Sequence, residues 1–183
     1  MEKITVWITA SQAGRLSLLD RKRRIEEAAT IHDLVNRGMD RRTARLEVAR
    51  MRPGAWPSLS VVVCAAVRRR LADPDLVGPW APLTEEEAGR MTLAGRWPGP
   101  RSEVRLQQRN YMFPDDLASA LRTASWRVSE RPLRELESRG LVGASLRLSP
   151  DQVRQRDDLA LQLFSPARIV REALEAYGPQ AQK

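Results

Sequence analysis

The chain is poor in the residues that most enzymes and metal sites need. Its 183 residues include one cysteine, Cys64, and one histidine, His32. A lone cysteine excludes an internal disulfide framework and a cysteine cluster around a metal, and it suggests a reducing compartment. A lone histidine excludes multi-histidine metal sites and leaves Ser-His or Cys-His catalysis improbable. No apolar run approaches the roughly 18 residues of a membrane span. The opening Met1-Glu2-Lys3-Ile4-Thr5 lacks the charged-then-apolar layout of a secretory signal. No glycine-rich phosphate loop of the Walker or dinucleotide type occurs. Lysine is scarce too: Lys3, Lys22 and Lys183 are the only ones among 31 cationic residues, and the other 28 are arginine.

What is present is a basic, globular composition, 42% hydrophobic and 30% charged, with mean hydropathy −0.46. That is enough apolar mass for one sizeable core or two small ones. The net charge of +8 and pI near 10.8 favour a polyanionic partner. Arginine's planar fork suits bidentate contact with phosphates and guanine edges, although arginine-rich codon usage produces the same count. The carboxylate pairs Asp115/Asp116 and Asp157/Asp158 and the run Glu85–Glu87 sit in opening helical turns or on exposed faces. There they are ordinary partners of the helix dipole rather than an acid/base or magnesium site. The sequence therefore gives no enzyme, cofactor or metal.

Residues 3–9 alternate strictly, with Ile4, Val6 and Ile8 on one face, which predicts a half-buried strand. Residues 10–37 read as a helix, with an interruption suggested near Asp20–Arg24 and His32 partly buried. Gly38 and Asp40 mark the turn into a second helix over about 41–52. A third spans about Trp56–Ala72, and its Val61–Val67 run predicts burial on every side, although a strand fits Val61–Val63 as well. Thr84-Glu85-Glu86-Glu87 opens a short helix as a capping box. Trp56, Trp80 and Trp97 sit in Pro/Gly loops, as a base-stacking platform or as pins holding those loops to the core. The Gly95–Pro100 loop is the candidate boundary between a mostly helical region, 1–98, and a second region, 101–183.

After Pro100 the texture changes. Gln108-Arg109-Asn110-Tyr111-Met112-Phe113-Pro114 alternates into a proline, followed by Asp115-Asp116 and an apolar helical face to about Trp126. Ser129 is placed to cap a further helix ending at Gly140. The order then recurs: Ala144–Leu148 alternates, Ser149-Pro150 opens a helix to about Gln162, and Ser165-Pro166 opens the last one, closed by Gly178.

Strand, cap or proline, helix, turn and Ser-capped helix resembles the ribbon-helix-helix DNA-binding proteins of the Arc and MetJ kind, over about residues 104–178 in two copies. In that family, residues two, four and six before the proline point into the major groove. Carried over, these are Met112, Asn110 and Gln108, with Arg147 and Ser145 in the second copy, where Ser149 takes the proline's place. Met112 departs from the usual polar reader, Pro132 falls in the first turn of an expected helix, and Arg156 stands where a core leucine is usual. The helix starts at Ser129 and Ser165 offer backbone N–H groups to phosphates.

The resemblance implies a mainly α fold with short β-strands: a helical N-terminal region followed by tandem ribbon-helix-helix-like units. It also implies sequence-specific binding of double-stranded DNA as a repressor or plasmid accessory factor, in the bacterial cytoplasm at the nucleoid. The expected assembly is a homodimer or larger, because such ribbons close when two units interlock. Whether the strands pair within one chain or between chains stays open, and the Ile4–Ile8 strand could belong to a third, divergent unit. Arg41, Arg42, Arg45 and Arg50 on the second helix, with Arg68, Arg69 and Arg70 on the third, are candidate phosphate contacts or solvated faces. Residues 24–52 also fit a loose helix-turn-helix. The alternative function is a structural or DNA-organising protein that binds duplex without regard to sequence.

Overall fold

The structure, a computed structural model, describes residues 1–93, 106–142 and 147–177. The alternating N-terminal segment forms β1 (Glu2–Thr9), burying Ile4, Val6 and Ile8 and exposing Lys3, Thr5 and Trp7. Thr9 turns the strand into a helix. Its hydroxyl accepts from the Gln12 N–H, and the Gln12 side chain accepts from the Thr9 N–H at 3.0 Å, a complete capping box. The resulting α1 (Ala10–Asn36) is uninterrupted at Asp20–Arg24. Asp20 accepts from Arg23 at 2.6 Å and from Arg24 at 2.9 Å, so this basic run is neutralised at helical spacing instead of breaking the helix. His32 is exposed rather than partly buried, and its Nδ1 lies 3.0 Å from the Asn36 amide.

Gly38, with a φ of 95° that L side chains rarely adopt, makes the turn into α2 (Arg41–Ala55). Asp40 caps α2 by accepting from the N–H groups of Arg42 and Thr43. Ser58 caps α3 (Leu59–Leu71). Val63, Cys64, Ala66 and Val67 are buried there, but Val61 is exposed, so α3 is amphipathic rather than buried all round. Burial pushes the Cys64 thiol up from its ordinary value.

α4 (Glu85–Leu93) opens with the expected capping box at Thr84. β2 (Leu106–Phe113) then leads through Pro114 into α5 (Asp115–Ser138). The break expected near Ser129 is absent. Ala124, Ser125, Trp126, Ser129, Pro132 and Leu136 form a continuous buried stripe, and the missing N–H of Pro132 forfeits only one helical hydrogen bond. α6 (Pro150–Ala160) and α7 (Pro166–Ala176) follow, capped by Ser149 and Ser165 as the sequence suggested.

β1 and β2 pair antiparallel, with Ile4 opposite Tyr111, Thr5 opposite Asn110 and Trp7 opposite Gln108. Among the described residues, the partner of β2 is therefore the N-terminal strand. Of the second alternating segment, Ala144, Ser145 and Leu146 lie outside the described residues. Arg147 is exposed and in no strand, and Leu148 packs on a small cluster with Leu136, Leu159 and Leu163.

One main core takes Ile4, Val6 and Ile8 from β1, Tyr111 and Phe113 from β2, Val63 and Val67 from α3, and Ile169, Val170 and Leu174 from α7. It draws on both sides of the boundary expected at residues 98–101, and the Gly95–Pro100 loop itself lies outside the described residues. Each such side chain, removed from water, stabilises the fold by about 1.5–3 kcal/mol.

The described chain repeats itself: β1, α1, α2, α3 and then β2, α5, α6, α7. Thr5 stands four residues before the cap Thr9, and Asn110 four before the cap Pro114; these two pair with each other. An approximate two-fold axis therefore passes between them. The α3–α7 contact lies on the same symmetry, as do two backbone contacts. The Cys64 thiol of α3 donates to the Met112 carbonyl at 3.5 Å, and Arg171 of α7 donates to the Trp7 carbonyl at 3.1 Å.

α4 stands outside the repeat and is tied to α5 by ion pairs. Arg127 holds Glu87 at 2.6 and 2.9 Å, Arg90 holds Glu137 at 2.6 Å, and the Arg90 guanidinium lies 5.7 Å from the Trp126 ring. The Arg127 hydrogen bonds bring the Glu87 carboxyl from 4.5 down to about 2. A depressed carboxylate contributes stability that is fully present above its unfolded value and is lost as pH falls through its folded one. The α4–α5 attachment is thus expected to weaken between about pH 4.5 and 2. Carboxyl NMR of Glu87 should show this low midpoint, and Arg127→Met should return it towards 4.5; an unchanged midpoint in the variant would exclude this cause.

Candidate nucleic-acid interface

The outward face of the ribbon is built by alternation alone. With Ile4, Val6, Ile8, Tyr111 and Phe113 facing the helices, Gln108, Asn110 and Met112 stand exposed on β2, as the sequence suggested. Lys3, Thr5 and Trp7 stand beside them on β1. The central pair is joined: the Thr5 hydroxyl donates to Asn110 Oδ1 at 2.8 Å. That bond fixes the amide's orientation, leaves both Nδ2 hydrogens to donate outward, and spares one lone pair on Oδ1. Trp7 and Met112 are 46% and 42% exposed, at opposite ends of the ribbon.

Two helix N-termini flank this face. Ser60 in the first turn of α3 accepts from the Met112 N–H at 3.2 Å, so α3 begins beside one end of the ribbon. α7 occupies the symmetric place, its Arg171 reaching Trp7. Ser58 and Ser165, the two caps, accept from Val61 and Arg168. The first-turn N–H groups that a cap leaves over point away from each helix, where an anion is favoured.

The candidate arginines separate into three groups. Arg70 is not free for phosphate: 12% exposed, it grips Asp75 at 2.7 and 2.6 Å and Glu172 of α7 at 2.8 Å. This pairing raises its pKa and lowers that of Asp75. Arg50 and Arg68 are exposed and paired with Glu47 at 2.9 Å and Asp116 at 3.3 Å. Arg41, Arg42, Arg45 and Arg69 are exposed, with no ion pair among the described residues. The start of α2 lies about 40 Å along α1 from β1 at 1.5 Å rise per residue, so Arg41, Arg42 and Arg45 are remote from the ribbon.

Ser129 corrects the sequence reading. It is fully buried in the middle of α5, where its hydroxyl accepts from the Phe164 N–H at 2.9 Å, so it neither caps a helix nor meets a phosphate. Ser145 lies outside the described residues, and exposed Arg147 has no strand to place it beside Gln108 and Asn110.

Other candidates resolve into local structure. Trp56 donates to Glu26 of α1 at 3.2 Å and Trp80 to the Leu76 carbonyl at 2.9 Å, so both indole N–H groups have partners within the fold, while Trp97 lies outside the described residues. Asp115 pairs with the Met1 amino group, Asp116 with Arg68 and Asp157 with Arg156.

Sequence reasoning missed Lys3, Thr5, Trp7 and Ser58. The signal was available: Lys3, Thr5 and Trp7 stand six, four and two residues before Thr9, the spacing applied to Pro114. Thr9 is a threonine and not a proline, so the proline-anchored spacing does not single it out. No family model, curated protein or solved structure matches this chain.

Proposed function

We propose that the protein binds double-stranded DNA sequence-specifically, with the β1–β2 ribbon in the major groove. The observation that carries this reading is the ribbon's outward face. It is a row of hydrogen-bonding side chains on a two-stranded element whose opposite face is packed into the core. A two-stranded ribbon fits the major groove, where Gln108 and Asn110 have the geometry to pair with adenine N6 and N7, and Met112 to touch a thymine methyl. The α3 and α7 N-termini at Ser58 and Ser165 flank the groove-facing residues and suit phosphate contact. The net charge of +8 supplies the long-range attraction. In the ribbon-helix-helix proteins that the sequence resembles, such a reader serves as a repressor or as an accessory factor on plasmids, and nucleoid association follows from the same reading.

The homodimer was expected because two units must interlock to close the ribbon, and here the two strands pair within one chain. The alternative of sequence-blind backbone binding draws on the exposed arginines of α2, and the test separates the two. Asn110→Ala should weaken binding to a selected site by about 1–3 kcal/mol and to random duplex much less. Arg50→Ala, on a phosphate contact, should weaken both alike and flatten the salt dependence by roughly 0.9 log units per log unit of salt. Titration of labelled duplexes at several salt concentrations reads both. Equal losses for both sequences in Asn110→Ala would leave only a backbone binder.

A further inference from the structure

We infer that a single chain is a complete reader of an asymmetric DNA site, with Lys3, Thr5 and Trp7 of β1 forming the second half of its reading face. This rests on the duplex-binding reading above and adds the stoichiometry, the missing residues and the shape of the target. The ribbon has the approximate two-fold axis between Thr5 and Asn110, but its two strands come from different stretches of one sequence. Positions related by the axis hold different chemistry: Lys3 answers Gln108, Thr5 answers Asn110, and Trp7 answers Met112. The cross-strand pairing then sorts these side chains by end. Lys3 lies opposite Met112 at one end, and Trp7 lies opposite Gln108 at the other.

The ends therefore offer a base different partners. An ammonium beside a thioether suits the two acceptors on guanine and a neighbouring thymine methyl, whereas a primary amide beside an indole suits adenine and a thymine methyl. The support behind the two strands differs as well. A charged guanidinium, Arg171, holds the Trp7 carbonyl, and a neutral thiol, Cys64, holds that of Met112. At about 3.4 Å per residue, Lys3 to Trp7 spans about 14 Å, close to four base-pair steps. Nothing in that face requires a second copy, because the core behind it is already closed by α3 and α7 of the same chain.

The experiment is selection of bound duplexes from a fully random library by the full chain, followed by the mass of the complex on the selected duplex. The expected result is one chain per site and a consensus without dyad symmetry, with guanine at one end and an A·T pair at the other. Lys3→Ala should relax only the guanine end and Gln108→Ala only the other. Each should lower affinity for the consensus by about 5- to 150-fold. Lys3 and Gln108 are both exposed, so these variants leave the core untouched. A palindromic consensus occupied by two chains would overturn the inference and leave duplex reading standing. An unchanged consensus in Lys3→Ala would overturn the assignment of β1 as a reader. No enrichment over random duplex would overturn both this inference and the sequence-specific reading beneath it.

Discussion

Phe113→Ala is expected to lower the unfolding free energy by about 3–5 kcal/mol, the largest effect of any single truncation proposed for this chain. Phe113 is the last residue of β2, has no exposed surface, and packs in the cluster that joins both strands to α3, α5 and α7. The cluster around it draws Val6 from β1, Val63 from α3, Leu117 and Leu121 from α5 and Ile169 from α7, separate elements that cannot all close on an alanine. Urea denaturation of the wild type and the variant, with equal m-values, measures the difference. A loss below about 1 kcal/mol would mean that the ribbon is not anchored through this residue. Because total stabilities run to only about 5–15 kcal/mol, the variant should also lose duplex binding at elevated temperature before the wild type does.

The second large effect concerns Ser125 and Ser129. They stand one helical turn apart on α5, both fully buried, and between them they satisfy the whole peptide backbone of Phe164. Ser125 donates to its carbonyl at 2.6 Å, and Ser129 accepts from its N–H at 2.9 Å. Phe164 immediately precedes the cap of α7, so these two bonds fix where α7 starts. Each buried backbone group left without a partner costs about 1–3 kcal/mol, and Ser125→Ala/Ser129→Ala together should cost roughly 2–6 kcal/mol. The two serines share one peptide partner, so the double variant should depart from the sum of the singles. Thermal melts of the three variants provide the cycle. Were Ser129 a phosphate ligand, Ser129→Ala would instead leave the melting temperature alone and alter the salt dependence of binding.

Much of the local structure was legible before the fold. The alternation of Ile4, Val6 and Ile8, and that of Tyr111 and Phe113, named both strands and their inward faces, because a period of two is the only arrangement that buries such residues on one side. Asp40, Thr84, Ser149 and Ser165 announced helix starts through their side-chain oxygens, and each is seated there. The exposed trio Gln108, Asn110 and Met112 followed from the same alternation.

Other features were decided elsewhere in the chain. Ser129 looked like a cap because a serine side-chain oxygen favours a helix start. Whether it caps or is buried depends on Phe164, 35 residues away, which supplies the competing hydrogen bond. Arg70 looked like its neighbours Arg68 and Arg69, yet Glu172 approaches only when α7 packs on α3.

The sequence by itself determined the strands, their faces, most helix starts and the positive charge, all of which depend on neighbours within a turn or two. Only the tertiary structure decided that β2 pairs with β1, which is separated from it by about a hundred residues. A strand's alternation specifies what it buries but not which other strand it pairs with. That choice was made by α3 and α7, whose apolar faces meet across the approximate two-fold axis and bring the two strands edge to edge.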